Sequence, residues 1–129
     1  MGTDIHIVIE YQSTDPNKKE WKAFCEMMFH PERDYGLFSK LSGVRYASED
    51  TPIATRGLPK NCSAFAQRAL GDEALHDQGH VWLEDFVYVL DELDYYRHAD
   101  SMLDYKGIVA VGDMLLDNHN VRILVAYDS

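Results

Sequence analysis

A carboxylate and an imidazole two residues apart open the chain: Asp4 and His6, in the run Gly2-Thr3-Asp4-Ile5-His6-Ile7-Val8-Ile9-Glu10-Tyr11. Side chains of an extended segment alternate, so positions i and i+2 project from one face and can reach one metal ion or one substrate. Two further histidines, His76 and His80, would complete a nitrogen and oxygen donor set suited to zinc or another divalent first-row ion. Three such ligands and one open position would give metal-assisted hydrolysis, with Glu10, on the same strand face, as general base. The competing reading is structural. His6 would bond to Asp4 or to a backbone group, and His76 and His80 would sit at the surface. Gly79 also opposes the helical turn that would align the latter two.

Three arginines suit anion recognition through a bidentate fork: Arg33 before Asp34-Tyr35, Arg45, and Arg56 in a loop. Each has a plainer use, since a loop arginine often bonds carbonyls and Asp34 is a natural helix cap. No Walker loop, dinucleotide-binding glycine motif, nucleophile elbow or HExxH occurs, so phosphoryl transfer, dehydrogenation and serine hydrolysis have no foothold.

The elements that must position these groups follow from periodicity. Ile5, Ile7, Ile9 and Tyr11 fall on one face of a first strand, with Asp4, His6, Val8 and Glu10 on the other. The turn signal of residues 13–19 predicts a hairpin with a returning strand over 21–28. Asp34 caps a short helix through Leu41 that Gly43 closes, residues 46–61 form an irregular loop, and a helix of two turns covers 63–70, opened by Asn61 or Ser63 as cap and stopped at Gly71. Residues 76–80 read as a turn-like link. Leu83, Phe86, Val87, Leu90 and Leu93 mark the main amphipathic helix, over 83 to about 97. A further helix is expected between 101 and 116, with strand as a competitor because of Gly107, Gly112 and the run 108–111. The β-rich segment 121–127 should pair with the hairpin. The expected fold is α+β, a small, largely antiparallel sheet of N-terminal hairpin plus C-terminal strand covered by helices.

With 129 residues, 46% of them hydrophobic, the chain is one domain, 1–129, able to close its own core. The absence of a long apolar run or a leader predicts a soluble intracellular protein. Cys25 and Cys62 read as two idle thiols, although a single disulfide stays open. The formal charge of −10 disfavours direct binding to nucleic acid or to an anionic membrane. Much of it is local: Glu84, Asp85, Asp91, Glu92, Asp94, Asp100 and Asp104 against Arg97 alone give 7 − 1, a net −6 within 83–104. Such a block is ordinarily a solvated helix face and sometimes a docking surface for a basic partner.

Several stretches together resemble a family of small uncharacterised bacteriophage and prophage proteins that begin with a DIH strand. They are Asp4-Ile5-His6 with Glu10-Tyr11, Arg33-Asp34-Tyr35-Gly36-Leu37-Phe38, Gly43-Val44-Arg45, Pro52-Ile53, Arg56-Gly57-Leu58-Pro59, His80-Val81-Trp82, and Val121-Arg122-Ile123 with Tyr127-Asp128. That family carries a His-Ser-His-Ser-type segment before its helix. Here His80 takes the second histidine place, Gln78 stands at the first, and His76 lies two positions earlier. The resemblance implies a phage origin, expression in the host cytoplasm, a shared pocket and, by analogy, action against host defences; it implies no reaction.

Two expectations follow. In the first, the chain is a phage accessory protein whose polar pocket binds a divalent metal or an anionic, nucleotide-like ligand. In the second, it is a non-enzymatic inhibitor whose acidic 83–104 face covers a basic surface of a host defence protein.

Overall fold

The computed structural model describes residues 2–45, 51–94 and 102–129. The first strand, β1 (Asp4–Ser13), pairs along its whole length with the last, β5 (His119–Asp128), in antiparallel register from Asp4 opposite Asp128 to Ser13 opposite His119. Two β-branched, aliphatic-rich segments from the chain ends thus form the centre of the sheet, where both faces can be covered. The short β2 (Lys22–Ala23) adds outside β1. On the other side β4 (His76–Trp82) pairs with β5, and β3 (Thr55–Arg56) forms the far edge. The order is β2-β1-β5-β4-β3, all antiparallel, as the α+β expectation requires.

One sheet face is apolar over most of its length. Ile5, Ile7 and Ile9 of β1, Val81 of β4 and Val121, Ile123, Val125 and Tyr127 of β5 are buried there with side chains of three helices. These are α1 (Tyr35–Ser42), α3 (Leu83–Asp94) and α4 (Leu103–Leu115). The opposite face is covered only at its middle, where α2 (Ala64–Leu70) lays Ala66 and Leu70 over Val8, Leu124 and Ala126. The helix signals read from sequence hold. Asp34 accepts from Leu37 N–H at 3.1 Å, Gly43 ends α1 at φ 69°, and Ser63 caps α2 by accepting from Ala66 N–H at 3.1 Å.

Two expectations need correction. The hairpin's return strand is two residues long rather than eight, because Cys25 and Glu26 take positive φ (54° and 44°) in a 3-10 turn that breaks the ladder. Phe29 then rejoins, exchanging backbone bonds of 2.9 and 2.7 Å with Ile7. The segment 76–80 is a strand carrying a β-bulge, not a link. The helix expected between 101 and 116 is present over 103–115, and Gly112 serves packing rather than strand formation: a Cβ there would meet Leu83 Cδ1 at 2.7 Å. Part of the expected loop (46–50), the end of the acidic helix (95–97) and Ser101 lie outside the described residues. So do Arg97, Asp100 and the side chain of Asp94. Both cysteines are free thiols, and burial pushes that of Cys62 up. Among the described residues no helix is long and apolar enough to cross a membrane.

Candidate functional site

The register fixes where each chemically capable side chain points. Asp4, His6 and Glu10 share the α2 side of the sheet, as the alternation predicts, but each is already engaged. Asp4 is clamped by Arg33, whose Nε and Nη2 lie 2.6 and 3.3 Å from its two carboxylate oxygens. The Arg33 hydrogen bond holds the Asp4 carboxyl below the usual carboxylate range. His6 Nε2 lies 3.0 Å from Asp128 Oδ2, its ring meets His30 edge-on at 4.6 Å, and its buried Nδ1 has no partner. Glu10 is fully buried, with Oε1 taking Arg122 Nε at 2.8 Å and Oε2 taking Ser63 N–H at 2.7 Å. A carboxylate so placed anchors α2 and β5; neither oxygen is left to act as a general base.

The remaining two histidines are elsewhere. His80 stands opposite Leu124 and its Nδ1 lies 2.9 Å from the Gly57 carbonyl. Leu124 and Ala126, buried beneath α2, fill the sheet between His80 and His6. His76 stands opposite Tyr127, whose side chain belongs to the other face, so the bulge has turned it away from the set. Asp4, His6, His76 and His80 are therefore not brought to one point and do not fit a shared ion. Among the described residues no group of three or more His, Cys, Asp or Glu is placed to hold a metal.

His76 makes a chain of its own, with Nδ1 2.6 Å from Asp77 Oδ2 and Nε2 2.9 Å from Ser129 Oγ. The order is that of a proton relay. Yet Ser129 Oγ is shared with Thr3 Oγ1 at 3.0 Å, and neither His76 nor Ser129 lines a neighbouring cavity. The chain ties the two ends of the sequence to β4.

What the bulge does create is a cavity of about 350 Å³ between β3, the bulged part of β4 and the end of α1. Its wall is made by Ser42, Thr55, Arg56, Asp77, Gln78 and Gly79. Its shape rests on unusual backbone. Asp77 sits at φ 52° in the register shift between His76 and Gly79, and Gly57 turns at φ 88° to donate its N–H to Gln78 O at 2.7 Å. Gly79 lets β3 approach, since a Cβ there would stand 3.0 Å from Thr55 O. Gln78 is held by its amide, which donates to Leu70 O and Leu75 O at 3.0 and 3.3 Å. Ser42 accepts from the Tyr127 hydroxyl at 2.6 Å, and burial keeps that phenol protonated well past its ordinary range.

The three arginines separate here. Arg33 is spent on Asp4, and Arg45 lies over the Tyr35 ring with its guanidinium carbon 4.4 Å from the centroid. Arg56 alone lines a cavity, exposed and without an ion-pair or hydrogen-bond partner among the described residues. Sequence reasoning named Arg56 but missed Asp77, Gln78, Thr55 and Ser42; the available signal was the pair of glycines, Gly57 and Gly79, beside polar residues. The chain matches no family model, no curated protein and no solved structure.

Proposed function

We propose that this chain is a phage accessory protein that binds a small anionic, nucleotide-like ligand in the bulge cavity, with Arg56 as the charge-bearing contact. The observation that carries the reading is the Arg56 guanidinium, without a partner among the described residues, on a cavity whose walls also present hydroxyls, an amide and glycine backbone, and whose one carboxylate, Asp77, is engaged by His76 at 2.6 Å. A planar fork on a concave, polar surface suits a phosphate or carboxylate better than a neutral group. The phage origin draws on the sequence resemblance alone. The reading assigns retention of a ligand and names no reaction.

The test is a thermal-shift and calorimetric screen of cyclic and linear nucleotides and inorganic phosphate, run on the parent and on Arg56→Ala. A true ligand at one hundred times its Kd should stabilise the parent by about 2.7 kcal/mol. The variant should bind roughly tenfold to hundredfold more weakly, as expected for a lost charge-assisted contact. Binding untouched by Arg56→Ala, or no response to any anion, removes the proposal.

The alternative is a non-enzymatic inhibitor that sets its acidic face on a basic host surface, and Glu84, Asp85 and Asp91 are exposed on α3 in its support. Two other members of that face work inside the molecule. Glu92 pairs with Lys40 of α1, and Asp104 accepts from Glu32 N–H at 2.8 Å.

A further inference from the structure

Away from the bulge cavity, the end of the sheet where β1 finishes and β5 begins carries two hollows of opposite charge. The first, of about 420 Å³, lies between the start of α3 and the end of α4. Its floor is apolar and open to water: Trp82 is 50% and Leu116 49% exposed, values far from those of core residues. Glu84 and Asp113 stand on its rim, and Asp117 follows in the α4–β5 turn. None of these three carboxylates has an ion-pair partner among the described residues.

The second hollow, of about 340 Å³, is lined by Lys18, Lys19 and Lys22 with one carboxylate, Glu20, so its charged groups sum to 3 − 1, a net +2. It gathers three of the chain's six lysines in a protein of net charge −10, and their ammonium groups are likewise unpaired among the described residues. His119 lines both hollows, its ring meeting Tyr11 edge-on at 5.2 Å to form the partition. The two sides are joined rigidly. Thr14 of the hairpin donates both its N–H and its hydroxyl to Asn118 O, at 3.0 and 3.2 Å.

A surface with unneutralised positive and negative patches side by side, and exposed apolar groups next to them, is complementary to itself. A two-fold axis through the partition sets each basic hollow against the other copy's acid-rimmed hollow, so that each exposed apolar floor is covered by the other copy's lysine side chains. We infer that this end of the sheet is a dimer interface whose occupant is a second copy of this chain. A wholly basic partner would suit the acidic hollow but would meet Lys18, Lys19 and Lys22 head on. The inference is independent of the ligand reading, since no residue of the bulge cavity takes part.

Sedimentation equilibrium of the full chain tests it. At ~50 mM salt the protein should sediment as a dimer of the 14.8 kDa chain, and the dimer should weaken at least ~tenfold at ~500 mM, where surface charges are screened. Two exposed triple variants should each be monomeric, Lys18→Glu/Lys19→Glu/Lys22→Glu and Glu84→Lys/Asp113→Lys/Asp117→Lys. Mixed in equal amounts they should form a heterodimer, because the swapped charges again oppose one another. Far-ultraviolet circular dichroism checks that each variant is folded. A parent chain that stays monomeric at low salt overturns the inference, including one that stays monomeric yet captures a lysine-rich peptide. Variants that dimerise as well as the parent, or that fail to pair when mixed, overturn it too.

Discussion

The two faces of the sheet use the same strands to opposite ends. On the face covered by α1, α3 and α4, successive strand residues join one continuous apolar cluster, and the helices leave little for polar chemistry. On the other face a helix of two turns sits on a small apolar cluster that includes Val8, Leu124 and Ala126, and among the described residues the polar groups at either side of it satisfy one another. Near one end Glu10, Arg122, Asn61 and Trp21 do so. Arg122 is 7% exposed, bonded to Glu10, 3.2 Å from the Asn61 amide oxygen, with its guanidinium carbon 3.7 Å over the Trp21 ring centroid. Near the other end the Asp4–Arg33 and His6–Asp128 pairs do the same in partial contact with water. The difference teaches that polar alternation on a central strand need not mark a reacting site. It can mark a face that is closed by pairing charges instead of by adding helices.

Breaking a buried pair should have the largest effect. Arg122→Met leaves the Glu10 carboxylate buried without its cation and should cost about 3–5 kcal/mol in urea unfolding. Glu10→Leu/Arg122→Met should recover most of that loss, short of the Ser63 N–H that loses its acceptor. On the helix-covered face, Ile7→Val should cost only about 0.5–1.5 kcal/mol. Equal losses from the two single changes would erase the contrast.

Next comes the fit of α4 against α3. Gly112→Ala should destabilise by about 1–3 kcal/mol, because the new methyl meets Leu83, itself only 2% exposed. Gly107→Ala, with nothing within 4 Å of the added carbon, should stabilise by up to about 1 kcal/mol through helix propensity. Opposite signs in one helix would show that proximity, not propensity, selects glycine at 112.

The mildest test is pH. Burial raises the folded pKa of Tyr105 and Tyr127, both on the helix-covered face. Their contribution is complete below the unfolded tyrosine pKa of about 10 and falls as pH climbs past it, by at most about 1.4 kcal/mol per unit for each group. Urea midpoints should therefore drop above that pH, and less steeply in Tyr127→Phe. Asp4, on the other face, behaves in reverse. Its carboxyl is held low by Arg33, so its contribution is present above the unfolded aspartate pKa and lost as pH falls through the lowered value. Because the pair is half exposed, the acid limb should change least, and Asp4→Asn should scarcely move it.

Much of the scaffold was legible because its signals are local. The period-two run of β1, the caps at Asp34 and Ser63, the glycine stop at Gly43 and the stripe of α3 each report their own backbone. The segment 76–82 was not, since Asp77-Gln78-Gly79 has the composition of a turn and is held extended only by pairing with β5. The return strand failed for the converse reason: 21–28 has strand composition, yet Cys25 and Glu26 turn out of the ladder. Of the candidate residues, sequence placed Asp4, His6 and Glu10 on one face correctly and could say nothing of Arg33, Asp128, Arg122 and Ser63, which reach them from other elements.

By itself the sequence determined which segments repeat at strand or helix period, where helices start and stop, and that the chain carries excess negative charge. Partners were decided by tertiary structure alone: Glu10 became a wall because Arg122 and Ser63 close on it, and Arg56 stayed available because none of the described residues does. The reason is range. Periodicity and capping act within a few residues of the backbone, whereas a side chain's charge, access and company depend on groups tens of residues away that only folding brings near.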